Sequence, residues 1–333
     1  MNPQKFLENL VKKVPEYKLT EEDKKTIEFE GIEKYIYNKL TSAKYRSSSI
    51  DKDSQKLVKS AIHHCVANKK PIHVSLPFGA YKRWNLPTYP YPDWAEVFNI
   101  VQLREYLSPI AEAYKYGVIL RYYSVELFVE KNNNLPQKEI AKYEDQFLKM
   151  LEFFRKYLPQ NFKLEFTNLG EEISQEEALK AVEEKVKELR ANWKDMPQKD
   201  KDLKTKRAKV NCMVEKDDPK YDEKILEAVF VHDAFSSECW AKGGKIKWAF
   251  AEDMVPLGHS YTTGWAIHVK SSRSSRVNFW VGMGALIEND GNFIPTILSY
   301  EQWEKVKNKV SKEKVGIFPE DLRALGEIVI IRS

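Results

Sequence analysis

The sequence has few of the features that mark secreted, metal-bound or membrane proteins. It contains only three cysteines, Cys65, Cys212 and Cys239, which lie far apart and form no CxxC pair. This odd number of isolated cysteines argues against a disulfide framework or a structural zinc site. No stretch is apolar over enough residues to span a membrane, and the amino terminus lacks the apolar segment of a signal peptide. We therefore expect a cytoplasmic protein that does not associate with membranes.

The chain also lacks a strong net charge. Its 54 Lys and Arg residues and 49 Asp and Glu residues give a formal net charge of +5. This mild value on a highly charged surface favours solubility over a dedicated nucleic-acid-binding function. No strict nucleotide motif, zinc motif or serine triad is present, so we expect no cofactor and no metal. With 333 residues, the chain can bury a sizeable core.

The clearest fold signal lies between residues 71 and 126. Ile72 to Leu76 alternates as a buried strand does, and Gly117 to Tyr123 is a second run rich in branched and aromatic residues. Asp93 occupies a capping position between them, with Glu96 as its capping-box partner, so a helix begins there. Strand, helix and strand make a βαβ unit, whose ligand site is expected at the carboxyl end of the first strand.

The loop after the first strand, Pro77 to Tyr91, is crowded with large side chains. It carries Phe78, Lys82, Arg83, Trp84, Asn85 and three tyrosines. Ordering such side chains costs conformational entropy, so we expect the loop to pack against something. Its two cations beside aromatic rings can hold a phosphate or carboxylate, and we expect Lys82, Arg83 and Asp93 to border a large polar cleft. The same residues are also compatible with a structural lid that has no binding role, in which the aromatic side chains fill the core and the cations lie in water.

Motifs in this region and later in the chain carry a family resemblance. The first group comprises the strand leading to Pro77, the loop with Lys82, the run Tyr91-Pro92-Asp93-x-Ala95-Glu96, and the helix with Leu103, Leu107, Ile110 and Tyr114. The second group comprises Trp265-Ala266-Ile267-His268, followed by Lys and Arg, and the run Ile287-Glu288-x-Asp290-Gly291. Together these motifs resemble the isonitrile (isocyanide) synthases, the family that includes dityrosine-precursor and pyoverdine-cluster enzymes.

The resemblance implies a transferase or lyase-like enzyme of secondary metabolite biosynthesis. Its small-molecule substrates would be an amino acid, tyrosine or tryptophan, and the phosphosugar ribulose 5-phosphate, with an isonitrile as product. On this hypothesis the amine joins the sugar carbonyl, and His268 or Glu96 moves protons during imine formation and carbon–carbon cleavage. The predicted catalytic residues are His268, Glu96 and Lys82, and the predicted substrate-binding residues are Phe78, Arg83, Asp93, Glu126, Lys270 and Arg273.

Two alternatives stay open. The chain has Gly79-Ala80-Tyr81-Lys82 and Ser124-Val125-Glu126 where the family usually has a Lys-Ser-x-Asn arrangement and an acidic-Gly turn. It is therefore compatible with a family scaffold that lacks the family chemistry. The segment from Lys194 to Lys209 is nearly all charged or polar, and with the aromatic loop it suggests a single-stranded nucleic-acid-binding or processing protein. The mixed signs of that segment dilute any field that would attract phosphates.

The fold class we predict is α/β: a mixed sheet with a Rossmann-like βαβ core, an N-terminal helical layer and a C-terminal antiparallel extension from Lys245 onward. Residues 1–70 form the helical layer, 71–193 the α/β core, 194–220 a charged connection, and 221–333 an α+β part that completes the same domain. Helices are predicted at Thr20 to Ala43, Asp51 to Asn68, Gln137 to Tyr157, Ser174 to Trp193, Asp222 to Cys239 and Ser299 to Val310. Further strands are predicted at Phe162 to Phe166, Lys245 to Phe250, Trp265 to Val269, Val277 to Ile287 and Gly326 to Ile331. Gly282 and Gly284 either weaken their strand or admit a close neighbour.

Overall fold

The structure, a computed structural model, describes residues 2–168, 171, 174–240, 253–258 and 267–332, without the side chains of residues 239 and 240. It is an α/β fold with two sheets, which confirms the predicted class. The predicted strand at Lys245 to Phe250 and the first half of the Trp265-Ala266-Ile267-His268 motif lie outside the described residues. No helix within the described ranges is long and apolar enough to cross a membrane.

A five-stranded parallel sheet forms the centre of the fold, in the order β3-β2-β1-β4-β5. Its strands are β1 (Ile72–Phe78), β2 (Val118–Ser124), β3 (Phe162–Asn168), β4 (Met254–Gly258) and β5 (Ile267–His268). The predicted βαβ unit is present, because β1 and β2 pair in parallel and a helix connects them. The carboxyl ends of β1, β2 and β3 therefore lie along one edge of the sheet.

Four helices precede this sheet, and seven more of the described helices follow β1 along the chain. The first four are α1 (Pro3–Lys12), α2 (Glu21–Glu30), α3 (Ile32–Leu40) and α4 (Lys52–Ala67). The others are α5 (Trp94–Ala113), α6 (Glu126–Asn133), α7 (Gln137–Arg155), α8 (Gln175–Asn192), α9 (Gln198–Asn211), α10 (Tyr221–Phe235) and α11 (Tyr300–Val306).

Helix α5 is the central helix of the fold, because nearly every residue along it is buried. It contacts β2 on one side and the second sheet on another, and α1 and α3 also pack against it. A helix enclosed on all sides carries apolar residues around its whole circumference, as this sequence does. Any charged group at its buried start must therefore find its partners within the protein.

The second sheet has four strands in the order β7-β6-β9-β8. They are β6 (Met283–Asn289), β7 (Asn292–Leu298), β8 (Ser311–Lys314) and β9 (Glu327–Arg332). The pairs β6/β7 and β8/β9 are antiparallel, whereas β6 and β9 are parallel. The predicted antiparallel extension thus begins at Met283, since β4 and β5 join the central sheet in parallel.

The structure corrects several predicted elements. The helix predicted from Thr20 to Ala43 is two helices, because Gly31 has φ of 90° and interrupts the helical backbone. The strand predicted from Val277 to Ile287 starts only at Met283, after a short 3₁₀ turn at Phe279–Val281. Helix α6 and strand β8 have no counterpart in the prediction. The charged segment after Lys194 contains α9, a helix with no buried residue.

Candidate functional site

The loop between β1 and α5 places Lys82 in the protein interior. Its side chain is 0% exposed, and its Nζ lies 3.0 and 2.9 Å from the two carboxylate oxygens of Glu96. The same Nζ lies 3.1 Å from Asp93 Oδ1 and donates to the carbonyl of Phe279 at 3.1 Å. Protein acceptors surround the ammonium group of Lys82. The prediction that Lys82 borders an open cleft is therefore wrong.

The two carboxylates around Lys82 also begin helix α5. Asp93 Oδ1 accepts hydrogen bonds from the backbone N–H of Ala95 at 2.7 Å and of Gly284 at 3.1 Å. Glu96 Oε2 accepts from the backbone N–H of Asp93 at 2.7 Å, which completes the predicted capping box. The caps thus satisfy backbone donors of α5, and Asp93 in addition ties the start of α5 to β6.

A hydroxyl from a third helix joins this group. Tyr143 on α7 donates to Glu96 Oε1 at 3.0 Å, and its side chain is fully buried. We call Lys82, Asp93, Glu96 and Tyr143 the Lys82 cluster. Tyr143 lies on the apolar face of α7, so its spacing in the sequence indicated a core residue and gave no sign of this contact.

Burial controls the acid–base properties of the Lys82 cluster. Loss of water around Glu96 raises the pKa of its carboxyl group to about 8, since this effect outweighs the attraction of Lys82. Asp93 raises the same pKa further, because its negative charge disfavours a second negative charge beside it. A carboxyl group with a pKa near neutrality can both give and take a proton, as a general acid or base must.

Arg83 points away from Lys82 and contacts a different part of the chain. Its guanidinium group lies 3.5 Å from Glu301 and 4.9 Å from the ring centre of Tyr300, both on α11. The Arg83 side chain is 5% exposed and its Nε has no hydrogen-bond partner in the described structure, whereas Glu301 is 59% exposed. Arg83 is therefore the cation of this loop that has an unpaired side-chain donor within the described residues.

Phe78 and the end of β2 form the wall behind the Lys82 cluster. Phe78 is fully buried and packs against rings from β2, α7 and the 3₁₀ turn, namely Tyr122, Tyr143, Phe147 and Phe279. Tyr122 donates to Asn99 Oδ1 at 3.0 Å, and Asn99 Nδ2 donates to the carbonyl of Ser271 at 3.1 Å. This network joins α5 to the segment after β5, and sequence reasoning missed it.

The structure does not bring Lys270 or Arg273 to the Lys82 cluster. Lys270 Nζ donates to the carbonyl of Lys44 at 3.1 Å, and Arg273 pairs with Glu105 at 2.6 Å. Glu105 is nine residues beyond Glu96 on α5, which corresponds to roughly 13.5 Å along the helix axis. These two predicted binding residues therefore belong to another part of the surface.

His268 is closer to the predicted location. It is the last residue of β5 and is 8% exposed, and the structure pairs it with Gly258 at the end of β4. Strand β4 separates β5 from β1, so the backbone of His268 lies about 10 Å from β1 across the sheet. His268 thus reaches the same end of the sheet as the Lys82 loop, which its predicted role requires.

Glu126 is the first residue of α6 and belongs to a second acidic region at the same edge. Ser124 at the end of β2 donates to Glu144 Oε1 at 2.6 Å, and Thr167 on β3 donates to Glu171 at 2.8 Å. Burial raises the pKa of Glu144 to about 7, and the negative charges of Glu126 and Glu171 add to the effect. The sequence analysis did not single out Glu144, because it is one of three glutamates on α7.

Among the described residues, no group of three or more His, Cys, Asp or Glu side chains has an arrangement suited to a metal ion. The aromatic residues of the loop have contacts of their own. Tyr81 is buried with Asn133 Nδ2 3.2 Å from its hydroxyl, and Trp84 and Tyr89 pack against the same apolar cluster. These contacts leave little of the loop's aromatic surface for stacking on nucleic-acid bases.

The fold described above matches that of a solved structure. The crystal structure of the PvcA protein from Pseudomonas aeruginosa is similar over 90% of this chain and 99% of that chain, with a TM-score of 0.63 and 12% sequence identity. No protein-family model matches the sequence, and no curated protein sequence matches it. The chain is therefore an α/β protein with the fold of PvcA, a likeness that concerns the fold alone.

Proposed function

We propose that this protein is an enzyme that condenses the amine of an amino acid with the carbonyl of a phosphosugar, as the isonitrile synthases it resembles do. The observation that carries the proposal is the Lys82 cluster, which unites residues of the resembling motifs at the carboxyl end of β1. Ligands of open α/β sheets bind at such carboxyl ends. The fold shared with PvcA supports the scaffold, and the sequence resemblance supplies the substrates, tyrosine or tryptophan and ribulose 5-phosphate.

The chemistry needs a group that both accepts and returns a proton. The amine nitrogen adds to the carbonyl carbon and loses a proton, and the resulting hydroxyl group then leaves as water to give a carbon–nitrogen double bond. Glu96 has the raised pKa that suits both transfers, and Tyr143 and Lys82 hydrogen-bond its two oxygens. In this proposal Glu96 holds the proton. The proton moves between Glu96 and the reacting atoms through the hydrogen bonds of Lys82 and Tyr143.

The Lys82 cluster is closed to solvent, which has a consequence for the mechanism. Lys82 and Glu96 are both 0% exposed, so substrates reach them only when the loop after β1 moves away. Exclusion of water protects an imine from hydrolysis and strengthens the electrostatic contacts around it. The proposal therefore includes an open form of this loop that admits the substrates and a closed form in which the reaction proceeds.

Arg83 is the proposed phosphate-binding residue, and His268 and Glu126 are proposed to contact the substrates from β5 and α6. Arg83 has a partner that is itself exposed and weakly placed, so a phosphate can replace Glu301 without a buried charge being left unpaired. Phe78 and Asp93 are proposed to act indirectly, because Phe78 lies within the aromatic wall and Asp93 holds α5 in place. A cytoplasmic location and the absence of a cofactor remain predictions.

The experiment that tests the proposal is product formation by the purified full chain. We expect an isonitrile to form, detected by mass spectrometry, when ribulose 5-phosphate is supplied with tyrosine or tryptophan. Arg83→Gln is expected to raise the KM for the phosphosugar by about tenfold, since it removes a charge-assisted contact to phosphate. The KM for the amino acid serves as the internal control and should not change. A folded parent protein that consumes neither substrate would contradict the proposal.

A further inference from the structure

The loop that follows β1 and carries Lys82 begins with a residue in an unusual backbone conformation. Ala80 has φ of 50°, and its side chain is 0% exposed. In this left-handed region the Cβ atom of an L-residue crowds its own backbone, so an alanine rarely adopts it. Ala80 therefore holds strained backbone two residues after the end of β1.

The position of Ala80 in the core distinguishes it from other residues with this conformation. Among the described residues, Lys69, Asn134 and Asp290 are the other non-glycine residues with positive φ, and all three are exposed. Asn134 and Asp290 also belong to the residue types that tolerate this region best. Ala80 has neither advantage, so the contacts of the surrounding loop must hold its backbone in place.

The loop is fastened to the 3₁₀ turn at Phe279–Val281. Lys82 Nζ donates to the carbonyl of Phe279 at 3.1 Å, and the backbone N–H of Arg83 donates to the carbonyl of Trp280 at 3.0 Å. Two consecutive residues of the loop thus bind two consecutive residues of the turn. These hydrogen bonds fix the loop directly after the strained residue.

The turn also packs against the first residue of the loop. A Cβ atom at Gly79 would lie 2.9 Å from a ring atom of Trp280 and 2.5 Å from a ring atom of Tyr81. The ring of Trp280 in addition lies 6.2 Å from that of Phe78, the last residue of β1. The contact between loop and turn is therefore so close that only glycine fits at position 79.

We propose that Gly79 and Ala80 form the hinge of a lid, residues 79–91, and that the 3₁₀ turn is its latch. In the closed form the two hydrogen bonds to the turn hold Ala80 in the left-handed region. Opening breaks these bonds and lets Ala80 relax to the extended region that alanine prefers. The strain released at Ala80 thus offsets part of the free energy lost when the latch opens.

This inference rests on the proposed function for its purpose, because the lid gives substrates access to the Lys82 cluster. Its test uses no substrate. Hydrogen exchange at the backbone N–H of Arg83 reports opening of the latch, and exchange at Val74 in the middle of β1 reports unfolding of the whole chain. Both rates are measured in the full-length parent and in its variants.

Ala80→Gly is the decisive variant. Loss of a buried methyl group alone would weaken the packing of the loop and make exchange at Arg83 faster. Glycine adopts positive φ without strain, so the proposal predicts instead that exchange at Arg83 becomes slower by about threefold relative to Val74. Unchanged or faster exchange at Arg83 would overturn the proposal.

Two further variants locate the effect. Lys69→Gly relieves the same kind of strain at an exposed position with φ of 54°, and it should leave exchange at Arg83 unchanged relative to Val74. Gly79→Ala places a methyl group against Trp280 and Tyr81, and it should make exchange at Arg83 faster by about tenfold. Equal slowing in Lys69→Gly and Ala80→Gly, or slower exchange in Gly79→Ala, would refute the hinge. A chain that forms no isonitrile but shows the predicted rates would contradict the proposed function and support the hinge.

Discussion

At the scale of single residues, the Lys82 cluster combines one cation with two carboxylates, all of them buried. If both carboxylates were ionised, the interior would hold an uncompensated negative charge, which is costly in a medium of low polarity. The raised pKa of Glu96 relieves this cost, because a protonated Glu96 leaves Lys82 and Asp93 as a balanced pair. The protonation of Glu96 that stabilises the cluster thus also provides the proton that the proposed chemistry uses.

The pKa of Glu96 leads to a prediction about stability and pH. Its value in the folded protein, about 8, exceeds the ordinary value of 4.5, so folding favours the protonated form. The stabilising contribution is therefore complete below pH 4.5 and is lost as the pH rises through 8. We expect the free energy of unfolding of the parent, relative to Glu96→Gln, to fall across this window by up to about 1.4 kcal/mol per pH unit. Urea titrations at several pH values measure this difference, and two parallel profiles would contradict the pKa assignment.

Residue-scale features of the site were predictable from the sequence only where they are local. The Asp93 and Glu96 capping box follows from a three-residue spacing, and the structure confirms it. The contact between Lys82 and Glu96 spans a loop, and Tyr143 arrives from a different helix, so neither has a sequence signal. Arg273 was predicted to join the site because it follows His268 closely in sequence, yet its side chain extends to Glu105.

At the scale of elements, the closest contact in the site region is that between β6 and the start of α5. A Cβ atom at Gly284 would lie 2.3 Å from the backbone carbon of Trp94 and 2.4 Å from the backbone nitrogen of Ala95. Backbone atoms cannot move aside as a flexible side chain can, so this position requires glycine. The sequence-based alternative that Gly284 admits a close neighbour is therefore confirmed, and the neighbour is the helix that carries Glu96.

This contact predicts the effect of a small substitution. Gly284→Ala is expected to destabilise the protein by about 1–3 kcal/mol or more, because the added methyl group pushes α5 away from β6. Gly316→Ala is the matched control, since no atom lies within 4 Å of a Cβ atom at that position. Chemical denaturation of both variants measures the difference. Equal stability of the two variants would show that α5 and β6 are not in this close contact.

Helices and strands were predicted best where the local sequence pattern is strong. They were predicted least well where contacts with another element of the fold determine the backbone conformation. The βαβ unit, α4, α7 and α8 follow from apolar spacing and caps, and they appear within a few residues of the predicted bounds. Gly31 divides a helix whose apolar spacing runs across it, and the pattern alone did not show the break. The sequence of β8 is polar and does not indicate a strand. Its pairing with β9 determines its conformation.

At the scale of the whole molecule, the candidate functional residues lie along one edge of the parallel sheet. The carboxyl ends of β1, β2 and β5 lead to the Lys82 loop, to Glu126 and to His268, from three distant parts of the sequence. The fold shared with PvcA extends over 90% of the chain.

The central claim is that the Glu96 carboxyl group transfers protons in the reaction and also caps the start of α5. One comparison of variants tests this claim most directly. Turnover of amino acid and ribulose 5-phosphate is measured for Glu96→Gln and Glu96→Ala, together with each melting temperature. The Gln side chain keeps the cap contact to Asp93 but cannot exchange a proton as the carboxyl group does. The account predicts that Glu96→Gln melts near the parent temperature and loses turnover by about 10²–10⁴-fold. Full turnover in Glu96→Gln, with Glu96→Ala merely less stable, would show that Glu96 is only a helix cap.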